Sequence, residues 1–361
     1  MMSRAVTFTT MDRSAGADAD RVVRFWLLAV AALVVLMVTV GGATRLTGSG
    51  LSITEWKPIM GAIPPLSEGA WLDAFAKYKT IPQYAEINKG MSLDAFKAIF
   101  WWEWGHRFLG RIIGAAFALP LAWFWARGRL RPEMKPPLVG LLVLGGMQGF
   151  VGWFMVQSGL SERVDVSQYR LALHLGMAFL VLGGLVWQVL KLGDHEAGGI
   201  RLRTITAGEA RLAGVLAVLV FVQVIAGAFV AGLKAGLTYN TWPLMDGRLI
   251  PNGLVAKSPW WTNLFENVTT VQFNHRMLAY VIALALLGHA IGVIRRADDE
   301  RLRVSAWLMA VGVVAQLALG IWTLLALVPL HLALAHQLGA AVLFIIVVRH
   351  AFLMRRAVAG A

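Results

Sequence analysis

Six side chains in this sequence stand at spacings that suggest chemistry: Glu103, His106, His174, Gln272, His275 and His336. Four of the eight histidines fall into matching sets, since His106-Arg107 repeats as His275-Arg276, and His174 in Ala-Leu-His repeats as His336 in Leu-Ala-His. An ionisable residue inside an apolar span is costly and is a functional candidate by default. Two imidazoles at one depth on facing helices supply the axial pair of a low-spin haem iron. Glu103 and Gln272 each precede a histidine by three positions, which places them on its helix face one turn away. Only the carboxylate can accept a proton or stabilise developing positive charge, whereas the amide can only hydrogen bond. The alternative for Glu103 is a carboxylate favoured by a helix N-terminus.

The elements that must position these groups are membrane spans. Of 361 residues, 58% are hydrophobic and 15% charged, which excludes an ordinary soluble enzyme. Apolar runs long enough to cross a bilayer core of ~30 Å recur throughout. They predict eight helices, near 23–42, 105–126, 136–157, 170–191, 209–232, 275–294, 303–326 and 331–352. The fold class is therefore all-α and polytopic, with eight transmembrane helices arranged as two pseudo-symmetric four-helix bundles.

Basic residues precede span one and fill every even-numbered connection and the C-terminal tail, so both termini are expected to be cytoplasmic. The net charge of +13 follows from this bias, and no nucleic-acid partner is expected; the partner is the lipid bilayer. Two long outer segments, 43–104 and 233–274, carry eight tryptophans suited to an interfacial belt. The absence of cysteine excludes disulfides, thiolate metal sites and iron–sulfur clusters. Acidic residues before span one and the lack of an early apolar core argue against a cleaved signal. The expected divisions are a tail (1–24), an N-terminal half (25–195), a linker (196–208), a C-terminal half (209–352) and a second tail (353–361).

An internal repeat supports the two halves. At a shift of 186 positions Gly41 matches Gly227, Gly50 matches Gly236, Leu51 matches Leu237, Trp56 matches Trp242, Gly61 matches Gly247 and Pro65 matches Pro251. Gln148 and Gly152 match Gln316 and Gly320 at a shift of 168. Each half then has one histidine opening its second helix and one near the start of its fourth. At 1.5 Å per residue, His174 lies ~25 Å from Lys191 and His275 ~30 Å from Arg295, a shared depth. His331 is a rival ligand to His336, although the repeat favours His336. His195 and His350 are expected to be solvated, and His289 to be a packing or hydrogen-bonding residue. Glycines such as Gly152 and Gly227 suit close helix packing or clearance for a flat macrocycle, and do not discriminate. Arg107 and Arg276 occur in both halves and suit haem propionates or interfacial snorkelling. Arg45 has only Ala231 as its counterpart.

The series Gly41-Gly-Ala-Thr-Arg-Leu-Thr-Gly-Ser-Gly-Leu-Ser52, Trp56, Gly61 to Pro65, Glu103-x-x-His106-Arg107, His174 and Asn274-His275-Arg276 resembles the haem A synthase family of cytochrome-oxidase assembly enzymes. The likeness spans about residues 25–350. It implies oxidation of the C8 methyl of haem O to a formyl group through hydroxylated intermediates, in a bacterial inner membrane. It further implies that His275 and His336 ligate a haem b cofactor beside Arg276. His106 and His174, with Arg45 and Arg107, would flank the substrate haem, and Glu103 would be the catalytic carboxylate. Haem O synthase and an electron-transfer protein are the implied partners. Some bacterial members carry a cysteine pair that this chain lacks, so no thiol-dependent step operates here.

Three other classes compete. A di-haem b-type cytochrome that only passes electrons needs the histidine pairs but not Glu103. A prenyltransferase needs aspartate-rich magnesium sites, and no Asp-x-x-x-Asp pattern occurs in a loop. A transporter would show broken-helix sites, which are not evident.

Overall fold

A computed structural model describes residues 3–160, 163–194 and 205–359. Among these residues it is helical, with no strand beyond one isolated bridge between Met245 and Arg248. The α-helices are α1 (Ser3–Leu46), α2 (Glu68–Tyr78), α3 (Pro82–Glu86), α4 (Leu93–Ala126), α5 (Lys135–Leu160), α6 (Gln168–Asp194), α7 (Ala207–Gly232), α8 (Asn263–Glu266), α9 (Val268–Arg296), α10 (Glu300–Leu325) and α11 (Leu330–Ala359). All but the short α2, α3 and α8 are long and apolar enough to cross a membrane, so the eight expected spans are present. His195 and most of the 196–208 linker lie outside the described residues.

Three helices begin earlier than hydropathy suggests: α1, which runs from Ser3, and the two whose early turns belong to the long connecting segments, α4 and α9. The α4 helix starts at Leu93, where the Ser92 side chain accepts from Ala95 N, and α9 starts at Val268, where Asn267 accepts from Thr269 N and Thr270 N. A capping side chain satisfies amides that the first turn leaves free. The polar and aromatic turns that follow these caps mask helix start from a hydropathy scan. His106 and His275 therefore sit well inside their helices, with formed helix on both sides, instead of opening them.

The early turns of α4 serve a second purpose. Phe96 and Phe100 are buried against Leu51, Phe75, Tyr78 and Ile81, making a small separate core at the start of α4. Burial from water stabilises such a core by roughly 1.5–3 kcal/mol per large side chain. Trp71 stacks edge-on to Phe100 at 4.9 Å and Trp104 lies flat on Phe108 at 4.7 Å. Trp56, Trp101, Trp102, Trp242, Trp260 and Trp261 are exposed, as an interfacial belt requires.

Within the bilayer the halves have one neighbour pattern. In the first, α1 and α5 each pack against α4 and α6, leaving α4 and α6 diagonally opposed. In the second, α7 and α10 each pack against α9 and α11, leaving α9 and α11 diagonal. The halves meet where α1 and α6 touch α11, and α6 touches α7. Lipid offers no hydrophobic drive for this contact, so close packing must supply it. Phe179 meets Phe344 at 5.3 Å, Trp187 meets Phe352 at 5.1 Å, and Gln337 Nε2 donates to Val38 O at 2.6 Å across the interface. At the opposite end from this small core, Asp20 pairs with Arg131, Glu209 with Arg296, and Asp299 with Arg301 at 2.9 Å.

Candidate active site

Each of the four repeat-related histidines rests against a glycine on a neighbouring helix. A Cβ added at Gly41 of α1 would lie 3.1 Å from His106 Nε2, and one at Gly152 of α5 would lie 3.1 Å from His174 Cε1. In the second half the corresponding distances are 3.2 Å from Gly227 of α7 to His275 Cε1 and 2.7 Å from Gly320 of α10 to His336 Cε1. The glycines thus let each imidazole lie directly against the backbone of the adjacent helix. His106 and His174 come from the diagonal helices α4 and α6, and His275 and His336 from the diagonal helices α9 and α11. All four rings are half-buried. His331 is exposed at the start of α11 and has no such seat, so His336 is the histidine that matches the first half.

Amides brace three of these rings. Gln148 Nε2 donates to His174 O at 2.9 Å, Gln223 Nε2 to His275 O at 2.9 Å and Gln316 Nε2 to His336 O at 2.9 Å. The same nitrogens lie 3.5 Å from His174 Nε2, 3.0 Å from His275 Nδ1 and 3.2 Å from His336 Nδ1.

Just beyond His106, Glu103 is fully buried and fully engaged. Its Oε2 accepts from Ser52 Oγ and from Ile53 N, both at 2.8 Å, and its Oε1 accepts from Arg107 at 2.6 Å. Arg107 also donates to Ile53 O at 2.7 Å and Glu55 O at 3.0 Å. The second half repeats this staple, with Arg276 donating to Tyr239 O at 2.6 Å and Thr241 O at 2.9 Å and Gln272 Nε2 donating to Tyr239 O at 3.0 Å. Both arginines therefore tie the loop after the first helix of each half to its second helix. Arg45 ends α1 in a half-buried position. A small, open cleft lies beside this loop, lined by Thr54, Glu55, Trp56, Arg107, Trp153, Val156 and Gln157.

Residues 24–348 match the family model for cytochrome oxidase assembly proteins, COX15-CtaA. The chain belongs to this family. Among similar curated proteins are those named heme A synthase from Parvibaculum lavamentivorans (52% identical, covering 91% of this chain and 93% of the relative), Agrobacterium fabrum (54%; 91% and 89%) and Azorhizobium caulinodans (55%; 93% and 95%).

The side chains of each half suit an iron macrocycle. Two imidazoles reach from diagonal helices in each half, and neutral nitrogen donors suit iron. The Oε1 atoms of Gln148, Gln223 and Gln316 and the Nδ1 of His174 are buried without a partner, whereas buried polar atoms normally have one. Of these bracing residues Gln148 and Gln316 were visible as a repeated pair, but Gln223 was not, because its counterpart at the 186 shift is Met37.

His350 corrects an expectation. It is 1% exposed instead of solvated, because Nε2 lies 3.1 Å from His289 Nε2 and Nδ1 lies 2.7 Å from Ser305 Oγ. Ser305 Oγ donates to Leu302 O at 2.9 Å, so it accepts from His350 Nδ1–H. His350 Nε2 is then the acceptor for His289 Nε2–H. A neutral, directed chain joins α9, α10 and α11, and His289 is a hydrogen-bonding residue within it.

Proposed function

We propose that this chain acts as a haem A synthase, oxidising the C8 methyl group of haem O to a formyl group and so providing haem A for cytochrome c oxidase. The observation that carries this reading is that two copies of one histidine–glycine geometry are built, and only one has a carboxylate beside it. In the N-terminal half His106 and His174 flank the substrate haem, with Arg45 placed for a propionate. In the C-terminal half His275 and His336 hold a haem b, beside Arg276. A bound haem b supplies one-electron exchange.

The protein's own contribution is to orient and to handle charge. With oxygen from water, taking the methyl to a formyl is a four-electron oxidation, R–CH3 + H2O → R–CHO + 4 H+ + 4 e−, the electrons leaving to the electron-transfer partner, and Glu103 is the carboxylate placed to accept one of the protons or to stabilise positive charge as it develops. Its bonds to Ser52, Ile53 N and Arg107 hold it in place, and Arg107 offers the continuing hydrogen-bonded path to the outer loop. In the other half Gln272 keeps the loop contact without the charge, which suits a site that only holds its ligand. The four rings lie toward the outer leaflet of a bacterial inner membrane, with both termini cytoplasmic. Haem O reaches the site from the enzyme that prenylates haem, and an electron-transfer protein serves the C-terminal half.

Expression beside a haem O source, followed by extraction and chromatography of the haems, tests this reading. Hydroxylated and formylated haem is the expected product. Retained haem binding with neither product would overturn it.

A further inference from the structure

The two interfaces between the halves are equivalent in the repeat and different in chemistry. At one α1 meets α11, and at the other α7 meets α6. The second offers only hydrocarbon at a pair of matched positions, Ala228 on α7 and Leu175 on α6. The first has Gly42 and Gln337 in their places. There Gln337 Nε2 donates to Val38 O at 2.6 Å, and a Cβ on Gly42 would collide with the Gln337 amide. Val38 O is also the carbonyl that the Gly42 N–H reaches in a regular α-helix, so the amide rests on one particular turn of α1.

That turn is the seat of His106. Gly41, next to Gly42, is the residue against which the His106 ring lies, and Gln337 directly follows His336. Consecutive residues of a helix point about 100° apart, so Gly41 faces α4 while Gly42 faces α11, and His336 faces α10 while Gln337 faces α1. Two adjacent pairs, Gly41-Gly42 and His336-Gln337, thus connect a ring of one half with a ring of the other. Between spans, where lipid offers no hydrophobic drive, an interhelical hydrogen bond and a glycine that admits it are the contacts that set position. The reverse connection is missing, because His174 is followed by Leu175.

We propose that Gln337 is a positioning residue for the substrate haem. From the C-terminal half it fixes the turn of α1 on which His106 rests, and haem b held by His275 and His336 strengthens that grip by fixing α11. The proposal goes beyond the haem reading above and rests on it. Because binding linkage is reciprocal, haem b should raise the affinity for haem O, and haem O the retention of haem b. The cofactor half then serves the reaction by preparing the substrate site as well as by exchanging electrons.

Haem O itself is the probe, titrated into full-length, detergent-solubilised protein from cells that make haem b and no haem O. Binding is read from the low-spin absorbance of the added haem, with haem b content measured in parallel. Protein loaded with haem b is expected to bind haem O about tenfold more tightly than His275→Ala protein, which lacks haem b. Gln337→Met keeps the length of the side chain but has no N–H to donate. It should retain haem b, bind haem O about as weakly as His275→Ala does, and raise KM for haem O with kcat nearly unchanged. Joined to His275→Ala it should cost nothing further, which independent structural damage would not reproduce. Gly42→Ala displaces the amide and should act as Gln337→Met does. Gly42→Ala with Gln337→Leu copies residues 228 and 175, and should fold while still lacking the tenfold gain. If Gln337→Met fails to fold, that paired variant decides. Wild-type affinity for haem O in Gln337→Met or in the paired variant, or equal affinity in wild type and His275→Ala, overturns the proposal and leaves the haem reading standing. Should His275→Ala keep its haem b, both fall.

Discussion

The N-terminal and C-terminal halves are built on the same frame and differ in the side chains set around it. Shared are the four-helix neighbour pattern, the glycine seats and the arginine that staples residues 53 and 55, or 239 and 241, to the second helix. Different are Glu103 against Gln272, Met37 against Gln223, Arg45 against Ala231 and Glu55 against Thr241. Three of these changes add charge to the N-terminal half. Backbone-holding contacts are thus duplicated, while the side chains around the ring-bearing face diverge. A resident cofactor needs neutral, fixed ligands. A substrate that must arrive, react and leave needs a carboxylate as well.

The sharpest way to break that comparison is to remove one ligand from each half. His275→Ala or His336→Ala should abolish tightly bound haem b, read as loss of the low-spin haem spectrum in purified protein. His106→Ala should keep that spectrum and lose turnover. Equal haem loss in the two halves would contradict the division of labour.

Next in size is the carboxylate. Glu103→Gln makes the first half resemble the second, and haem A formation should fall by ~10²–10⁴-fold if a proton is handled there, with haem content retained. The variant removes one partner of a buried ion pair with Arg107, so melting in detergent must be followed alongside. The reverse change, Gln272→Glu, should give no second product-forming site. Unchanged product from Glu103→Gln would favour a pure electron carrier.

How far this difference could be read before the fold was known depends on what kind of contact carries it. The spans, the shared depth of His106, His174, His275 and His336, and the contrast of Glu103 with Gln272 all follow from hydropathy and repeat, which are properties of local sequence. The start of α4 at Leu93 did not, because aromatic and polar turns resemble a loop to a hydropathy scan. The partners of Arg107 and Arg276 are main-chain carbonyls, which leave no residue-type signal. His350 looked like a helix-end residue because His289 and Ser305, which bury it, are 61 and 45 positions away. Gln223 escaped because a search for identities passes over the position where the repeat fails.

A smaller effect tests the seats. Alanine at Gly320 would bring a Cβ 2.7 Å from the His336 ring, while alanine at Gly41 would stand 3.1 Å from His106. The first contact is the tighter of the two, so its ring has further to move. Overpacking of this kind costs ~1–3 kcal/mol. Gly320→Ala should therefore broaden the low-spin signal and loosen haem b, and Gly41→Ala should leave haem b untouched. The opposite order would mean that the glycines serve helix packing alone.

The smallest effect is expected at Glu55, whose counterpart is Thr241. Its carboxylate takes hydrogen bonds from Lys77 at 2.8 Å and Lys57 at 3.0 Å, which hold its pKa below the usual value. A lowered carboxyl pKa stabilises the fold above the ordinary carboxylate range and is lost as pH falls through the folded value. The pair is exposed, however, and solvent screening leaves such bridges near ~0.5 kcal/mol. What the two halves share at this position is the carbonyl oxygen: Glu55 O and Thr241 O each accept from the stapling arginine. Glu55→Thr keeps that oxygen and should move the melting temperature little at neutral pH, with the difference vanishing in acid. Arg107→Lys, which surrenders the forked contact to Ile53 O and Glu55 O, should cost more. If Glu55→Thr proves the worse of the two, the side chain and not the staple holds the loop after α1, and the frame is less shared than its backbone suggests.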